Sequence, residues 1–333
     1  MVYKEETMKT MADYYSKLHD YREAQLLLAG IKLNVFSCLD TSKTAKEVAQ
    51  VLKYNVRNLD IFLRSLASIG LVDYRKNKYK NTESTNLFLN ANSSNYIGDA
   101  ILFREEMMSL KNLEDRIING PNRKNQANTE LFDFYRLAEV SRNEMYHGRV
   151  QNALYVTSTL FTKEDEFKVL DLGGGSGTLA LEIVKKYPCA KAVVFEHPTV
   201  AKLPKKLIKE EKLESRVQVI EGDFNTDNIG ESYNLIIASG VMDFAHEHLE
   251  SLTAKLYDSL EKNGGLYIVT HGVNKDYLFP KKAVVGWLSG RLNGSDALID
   301  EDTIIKAILQ KGFIEKKMEE KKNRSLSEYI FIK

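Results

Sequence analysis

Cysteine is nearly absent: Cys38 and Cys189 are the two in 333 residues. They lie far apart without a metal-ligand spacing, which argues against a disulfide framework and fits a reducing compartment. Charge of one sign is missing too. Lys and Arg number 47 against 46 Asp and Glu, a formal net charge of +1. So even a balance gives no whole-molecule field to draw in nucleic acid or an anionic membrane surface. No apolar run approaches the ~18–20 residues that span a bilayer. The opening Met1-Val-Tyr-Lys-Glu-Glu6 is charged and lacks the apolar core of a secretory signal. Internal repeats and low-complexity tracts are lacking as well. What remains is a globular, membrane-free chain, expected in the cytoplasm, without a metal, and long enough for two cores.

A first domain is expected over residues 1–90, of which 22–90 read as a winged helix-turn-helix. Its first helix runs from Ala24 to about Leu39. Thr44-Ala-Lys-Glu47 is a capping box, where hydroxyl and carboxylate each satisfy an orphan N–H. Asn55 caps a helix whose buried stripe would be Val56, Leu59, Leu63 and Leu66, and Gly70 sits where a C-cap glycine belongs. Leu71 to Tyr79 frames a hairpin with Arg75-Lys-Asn-Lys78 at its tip. These helices hold more leucine and isoleucine than one small unit needs to bury, so a homodimer is expected. A helical region follows over 91–165, broken by the turn-rich segment Asn119-Gly-Pro-Asn-Arg-Lys-Asn-Gln126. From 166 to 333, strands alternate with helices, which implies a Rossmann-like α/β domain: a seven-stranded, mostly parallel sheet covered on both faces. Strands are expected near 167–172, 191–196, 216–221, 233–239, 265–271, 313–319 and 327–332. The clearest helices are 178–187, 247–262 and 300–311, and the last two strands form a hairpin through 320–326.

The chemistry concentrates at strand ends. Val169-Leu-Asp-Leu-Gly-Gly-Gly-Ser-Gly177 follows a strand and opens a helix, and Gly173, Gly175 and Gly177 let a ligand approach the backbone. Residues 175–180 also fit a loose dinucleotide pattern, so the glycines alone do not name the ligand. Asp171, just before them, suits a ligand with positive charge better than a pyrophosphate. Glu196, ending the second strand, can accept both ribose hydroxyls, with His197 beside it. Glu221-Gly222-Asp223-Phe224 ends the third strand, where Asp223 could reach an adenine edge and Phe224 cover its ring. Ser239 ends the fourth. S-adenosylmethionine, which carries an ammonium, a sulfonium and a nucleoside, fits this set.

With these residues in view, the chain resembles the small-molecule O-methyltransferases that include plant phenol and bacterial antibiotic enzymes. Asp171–Gly177, Phe-Glu-His-Pro (195–198), Gly-Asp-Phe (222–224) and Asn-Gly-Gly (263–265) stand where that family has its donor-binding and sheet motifs. The resemblance implies donor binding by Asp171, Gly173, Glu196, Asp223 and Phe224, a dimerising N-terminal domain, and an acceptor pocket lined by the middle helices. One position departs. Where the family carries a general-base His, in a His-Asp-Trp triplet, this chain has Met242-Asp243-Phe244.

A thioether takes no proton. Three routes remain open: an acceptor already ionised or a soft nucleophile, another base with His271 and Asp243 as first candidates, or no methyl transfer. Met108, Phe134, Met145, His147 and Trp287, with Met107, Phe103, Phe132 and Tyr135, are candidate walls for a flat, apolar acceptor. His246 and His248, two apart on a helix, point away from one another and do not pair on a metal. The competing class is a winged-helix DNA-binding regulator, using Arg57, Arg64 and the basic hairpin tip on phosphates. Few side chains there could read bases.

Overall fold

The computed structural model describes residues 9–121, 133–295, 298–318 and 326–333. Phe132, nearly all of the 320–326 connection and most of the 119–126 segment lie outside them. The chain divides into two compact units, Met1–Glu105 and Glu106–Lys333.

In the first unit a long helix, Met11–Lys32, starts at a Thr10–Asp13 capping box, where the Thr10 N–H donates to Asp13 Oδ2 at 2.7 Å. This helix begins and ends earlier than the expected 24–39. Asn34 adopts a left-handed φ of +53°, a conformation that stops a helix, and Phe36–Cys38 then form a separate 3₁₀ turn. The next helix, Ala45–Leu52, has the expected box: Thr44 N–H to Glu47 Oε2 at 2.7 Å and Glu47 N–H to Thr44 Oγ1 at 3.3 Å. Asn55 caps Val56–Ser68, which buries Leu59, Leu63 and Leu66. Val56, expected in that stripe, is 45% exposed, because at the first helical position it precedes the turn that faces the core. Strands β1 (Val72–Arg75) and β2 (Lys78–Asn81) pair antiparallel. Lys76 and Asn77 between them both have positive φ, the geometry of a tight hairpin turn. Tyr79 is fully buried among Phe36, Leu39, Leu63 and Leu66, and its hydroxyl donates to Asp60 Oδ1 at 2.7 Å. Each such buried side chain contributes about 1.5–3 kcal/mol.

The second unit holds a seven-stranded sheet: β3 (Lys168–Leu172), β4 (Lys191–Glu196), β5 (Val217–Glu221), β6 (Tyr233–Ser239), β7 (Leu260–Thr270), β8 (Ile314–Lys316) and β9 (Ser327–Ile332). The order is β5-β4-β3-β6-β7-β9-β8. β3 to β7 run parallel, and β9 lies antiparallel to both β7 and β8. The expected helix 247–262 ends at Ser259 instead. Residues from Leu260 belong to β7, through a register shift against β6 between Tyr233 and Leu235. The period of two in a strand divides the apolar residues between two cores. Val169, Val194, Leu235 and Ile237 pack under the helices Arg149–Ser158, Thr178–Lys186 and Lys202–Glu210. Leu170, Leu172, Phe195, Ile236 and Ile268 pack under Leu249–Ser259 and Glu301–Lys311. The chain leaves β3 toward β4 on one side and returns through β6 on the other. β3 and β6 thus flank a topological switch point, where open α/β sheets bind ligands at the carboxyl ends of their strands. No helix of the described residues is long and apolar enough to cross a membrane.

Two predictions follow from the first unit. Met11, Tyr14, Leu18 and Tyr21 recur three and four apart along the first helix, and each is more than half exposed. An apolar stripe of that spacing calls for a partner helix. Light scattering at micromolar concentration is expected to give a dimer for the wild type and a monomer for Tyr14→Glu/Leu18→Glu; a monomeric wild type contradicts this. Thr44→Ala removes one half of its box and is expected to cost about 1 kcal/mol in urea unfolding.

Candidate active site

Asp171, Glu196 and Ser239 share the parity of Val169, Val194 and Ile237, so all three stand on the sheet face that packs against Thr178–Lys186. Asp171 is 1% exposed. It lies beneath the glycine turn rather than in the open, with Oδ2 accepting from the Ala180 N–H at 3.2 Å in the first turn of that helix. Burial pushes its carboxyl up to about 7, against the pull of the Ala180 N–H, and the charge of Glu196 adds to the rise.

The turn itself is backbone. Gly173 has φ +59°, and a Cβ there would come within 2.8 Å of Val241 Cγ2. Any other residue would be strained and would collide with Val241. Gly175, at φ +57°, donates its N–H to Glu196 Oε2 at 2.6 Å, and the His197 N–H donates to Oε1 at 2.7 Å. Burial raises the Glu196 carboxyl, and these two amides oppose it. Gly177 precedes the first residue of the helix. The side chain of His197 turns to Thr199, with Nδ1 and Oγ1 2.8 Å apart. The helix Phe134–Val140 passes close to the turn, since a Cβ on Gly175 would lie 3.5 Å from Ala138 Cβ.

After β5 the chain bends at Gly222, whose N–H donates to the Glu196 carbonyl at 3.1 Å. Asp223 is exposed and accepts from the Asn225 N–H at 2.8 Å; Phe224 is half-buried, near Gly173. Lys255 pins this loop by donating to the carbonyls of Phe224, Asn225 and Asp227 at 2.9, 3.2 and 2.6 Å. Ser239 Oγ, at the end of β6, accepts from Arg149 Nη1 at 3.4 Å. Sequence reading missed Lys255 and Arg149. A lone cation on a helix carries no local signal of the strand end it reaches.

Met242 is fully buried in the second core and so takes part in packing. Asp243, beside it in the same 3₁₀ turn, is also fully buried. Its Oδ1 accepts from Thr270 Oγ1 at 2.7 Å and from the His271 N–H at 3.0 Å. His271 Nδ1 lies 3.3 Å from the same oxygen. The ring meets Trp287 edge-on at 5.3 Å between centroids and Phe244 at 6.2 Å, and Phe244 and Trp287 are 5.3 Å apart. Tyr277 packs into the same small cluster. The two residues offered as alternatives to Met242 are thus brought together, inside an aromatic wall.

The wall candidates separate. Met108 precedes Ser109, whose carbonyl accepts from Ser289 Oγ at 2.9 Å, which brings its segment beside Trp287. Met145 packs on the first core of the α/β unit. Phe134 is 49% exposed. His147 was expected in a helix but is exposed on a turn between Arg142–Met145 and Arg149–Ser158, where Gly148 at φ +135° interrupts the helix. In the first unit, Arg64 donates to Asp60 at 2.9 Å and lies 4.8 Å over the Tyr74 ring, so one of the two arginines suited to phosphate is already engaged.

Comparison with known proteins gives the family. Residues 117–284, just over half of the chain, match the model of the O-methyltransferase domain, and residues 16–91 that of the O-methyltransferase dimerisation domain. An uncharacterised protein of Methanocaldococcus jannaschii is 29% identical, over 84% of this chain and 72% of its own. The N,N-dimethyltransferase OxyT of Streptomyces rimosus is 26% identical, over 74% of each. The solved structure of human N-acetylserotonin methyltransferase in complex with SAM has the same fold, with a TM-score of 0.74 at 23% identity over 98% of this chain and 99% of that one. The chain belongs to the O-methyltransferase family, with a dimerisation domain ahead of an S-adenosylmethionine-dependent methyltransferase domain.

Proposed function

We propose that this protein moves a methyl group from S-adenosylmethionine to a hydroxyl on a small, flat, apolar acceptor. The observation that carries the reading is the gathering of Asp171, the glycine turn, Glu196, the Gly222–Phe224 bend and Ser239 at the carboxyl ends of β3, β4, β5 and β6. Gly173, whose backbone packs closely on Val241 near Phe224, keeps the turn free of a side chain, which suits a nucleoside lying along it. Glu196 would hold the ribose hydroxyls, with His197 beside them. Asp223 and Phe224 would hold the adenine, and Gly173, Gly175 and Gly177 would allow the close approach. Asp171 and Ser239 would face the charged methionine portion. Phe244, Tyr277, Trp287 and the Met108 segment would wall the acceptor; Met145, Phe134 and His147 contribute less, given where they lie. Bound there, the donor supplies an electrophilic methyl group on a sulfonium. The chain's own part is to hold the two reactants in line, which removes an entropic cost from the step.

Calorimetry is expected to show binding of S-adenosylmethionine and S-adenosylhomocysteine and none of NAD. Glu196→Ala is expected to weaken the former by about 1–3 kcal/mol, the scale for a polar group left without its partner. Unchanged binding in the variant, or binding of NAD, overturns the proposal.

Asp171 adds a pH dependence. With its carboxyl up to about 7, it is protonated in the free protein below neutrality, and a cationic ligand must expel that proton. The ratio of wild-type to Asp171→Asn affinity for S-adenosylmethionine should therefore rise about tenfold between pH 6 and pH 8. The ligand's own titration cancels in that ratio. A flat ratio removes Asp171 from the donor site.

A further inference from the structure

We infer that His271, held by Asp243, is the general base of this enzyme and that it receives the acceptor's proton at Nε2. The inference rests on the reading above of a hydroxyl acceptor walled by Phe244, Tyr277 and Trp287.

The two residues come from different strand ends, β6 and β7, which pair in parallel and so deliver both to one edge of the sheet. Asp243 Oδ1 is fixed by two donors, Thr270 Oγ1 and the His271 main chain, at 2.7 and 3.0 Å. Those bonds orient the carboxylate, and the ring nitrogen Nδ1 stands 3.3 Å from it. Neither Asp243 Oδ2 nor His271 Nδ1 has a hydrogen-bond partner of its own among the described residues. The 3.3 Å approach of Nδ1 to Oδ1 is short of a formed hydrogen bond in this structure; that Nδ1–H donates to this carboxylate when the site is filled is part of the inference. Nδ1 is buried while 19% of the side chain stays exposed, so the open part of the ring is the edge away from Asp243. That edge includes Nε2. An Nδ1–H donated to the carboxylate would fix the tautomer whose Nε2 is a bare lone pair. The other charged groups around the pair are Glu301, whose Oε1 is buried and would lie 3.4 Å from a Cβ on Gly272, Arg291, stacked 4.3 Å over the Tyr277 ring, and Asp300, whose charge is felt at Tyr277.

In the step itself, the acceptor oxygen bonds to the methyl carbon as the carbon–sulfur bond breaks, and that electron pair stays on sulfur as a neutral thioether. The proton of the hydroxyl passes to Nε2, and the imidazolium is held by the Asp243 charge. Met242 is thereby freed to pack in the core. Asp243 acts through the ring and is a positioning residue.

Two measurements test this. Ring ¹⁵N spectra of the donor-free protein are expected to show His271 as the Nδ1–H tautomer near pH 8. Asp243→Asn, where the geometry is kept and the charge is lost, should lower kcat for an acceptor that needs a base more than for one already ionised. In turnover at pH 8, catechol needs a base, whereas 4-nitrophenol is already largely ionised. His271→Ala should cut kcat for catechol by about 100-fold or more, the range for a lost general base. It should change 4-nitrophenol turnover less than tenfold and leave S-adenosylmethionine binding intact by calorimetry. If the alanine variant does not fold, His271→Gln takes its place. An Nε2–H tautomer, or an equal loss with both acceptors in His271→Ala or in Asp243→Asn, overturns the inference. Absence of S-adenosylmethionine binding in the wild type would instead defeat the proposed function.

Discussion

Negative charge held out of water is the constraint on which the rest of this site depends. Asp171 is buried and Glu196 half-buried beside the glycine turn, on adjacent strands and on the same face of the sheet. Burying a carboxylate without compensation costs several kcal/mol. The fold offsets part of that with backbone amides: Ala180 for Asp171, and Gly175 and His197 for Glu196. The Gly175 and Ala180 amides are available only because the chain folds sharply back between β3 and the following helix, which glycine permits. A cation would complete the compensation, and the sulfonium and ammonium of the donor are cations.

The same economy of placement explains the acceptor side. β6 and β7 run in parallel, so Asp243 and His271, 28 residues apart, arrive together. Their cluster is closed by aromatic side chains from the segment around Trp287. Met242 is core, and the Asp243–His271 pair beside it stands at the neighbouring strand end, where the inference above places the proton route.

Much of this was legible from residues alone, and the reasons are local. A capping box at Thr44, a cap at Asn55 and alternating apolar strands encode their elements within a few positions, as does the run Asp171–Gly177. What failed was what depends on distant contacts. The first helix was placed at 24–39 because its apolar content is concentrated there. The exposed aromatic half from Met11 onward gave no buried stripe to read. His147 looked helical until Gly148 broke the helix. Arg149 and Lys255 reach strand ends about 90 and 30 residues away, which no window of sequence displays. Conversely, His271 was singled out only because it ends a strand; its pairing with Asp243 emerged from the parallel register.

The central claim is that donor and acceptor meet at the carboxyl ends of β3 to β7. A crystal structure of the protein with S-adenosylhomocysteine tests it most directly. The account predicts the ribose on Glu196, the adenine against Phe224 and the sulfur on the side of the site that His271 faces. A nucleoside bound away from Glu196 and Phe224, or a sulfur separated from His271 by the sheet, would contradict it.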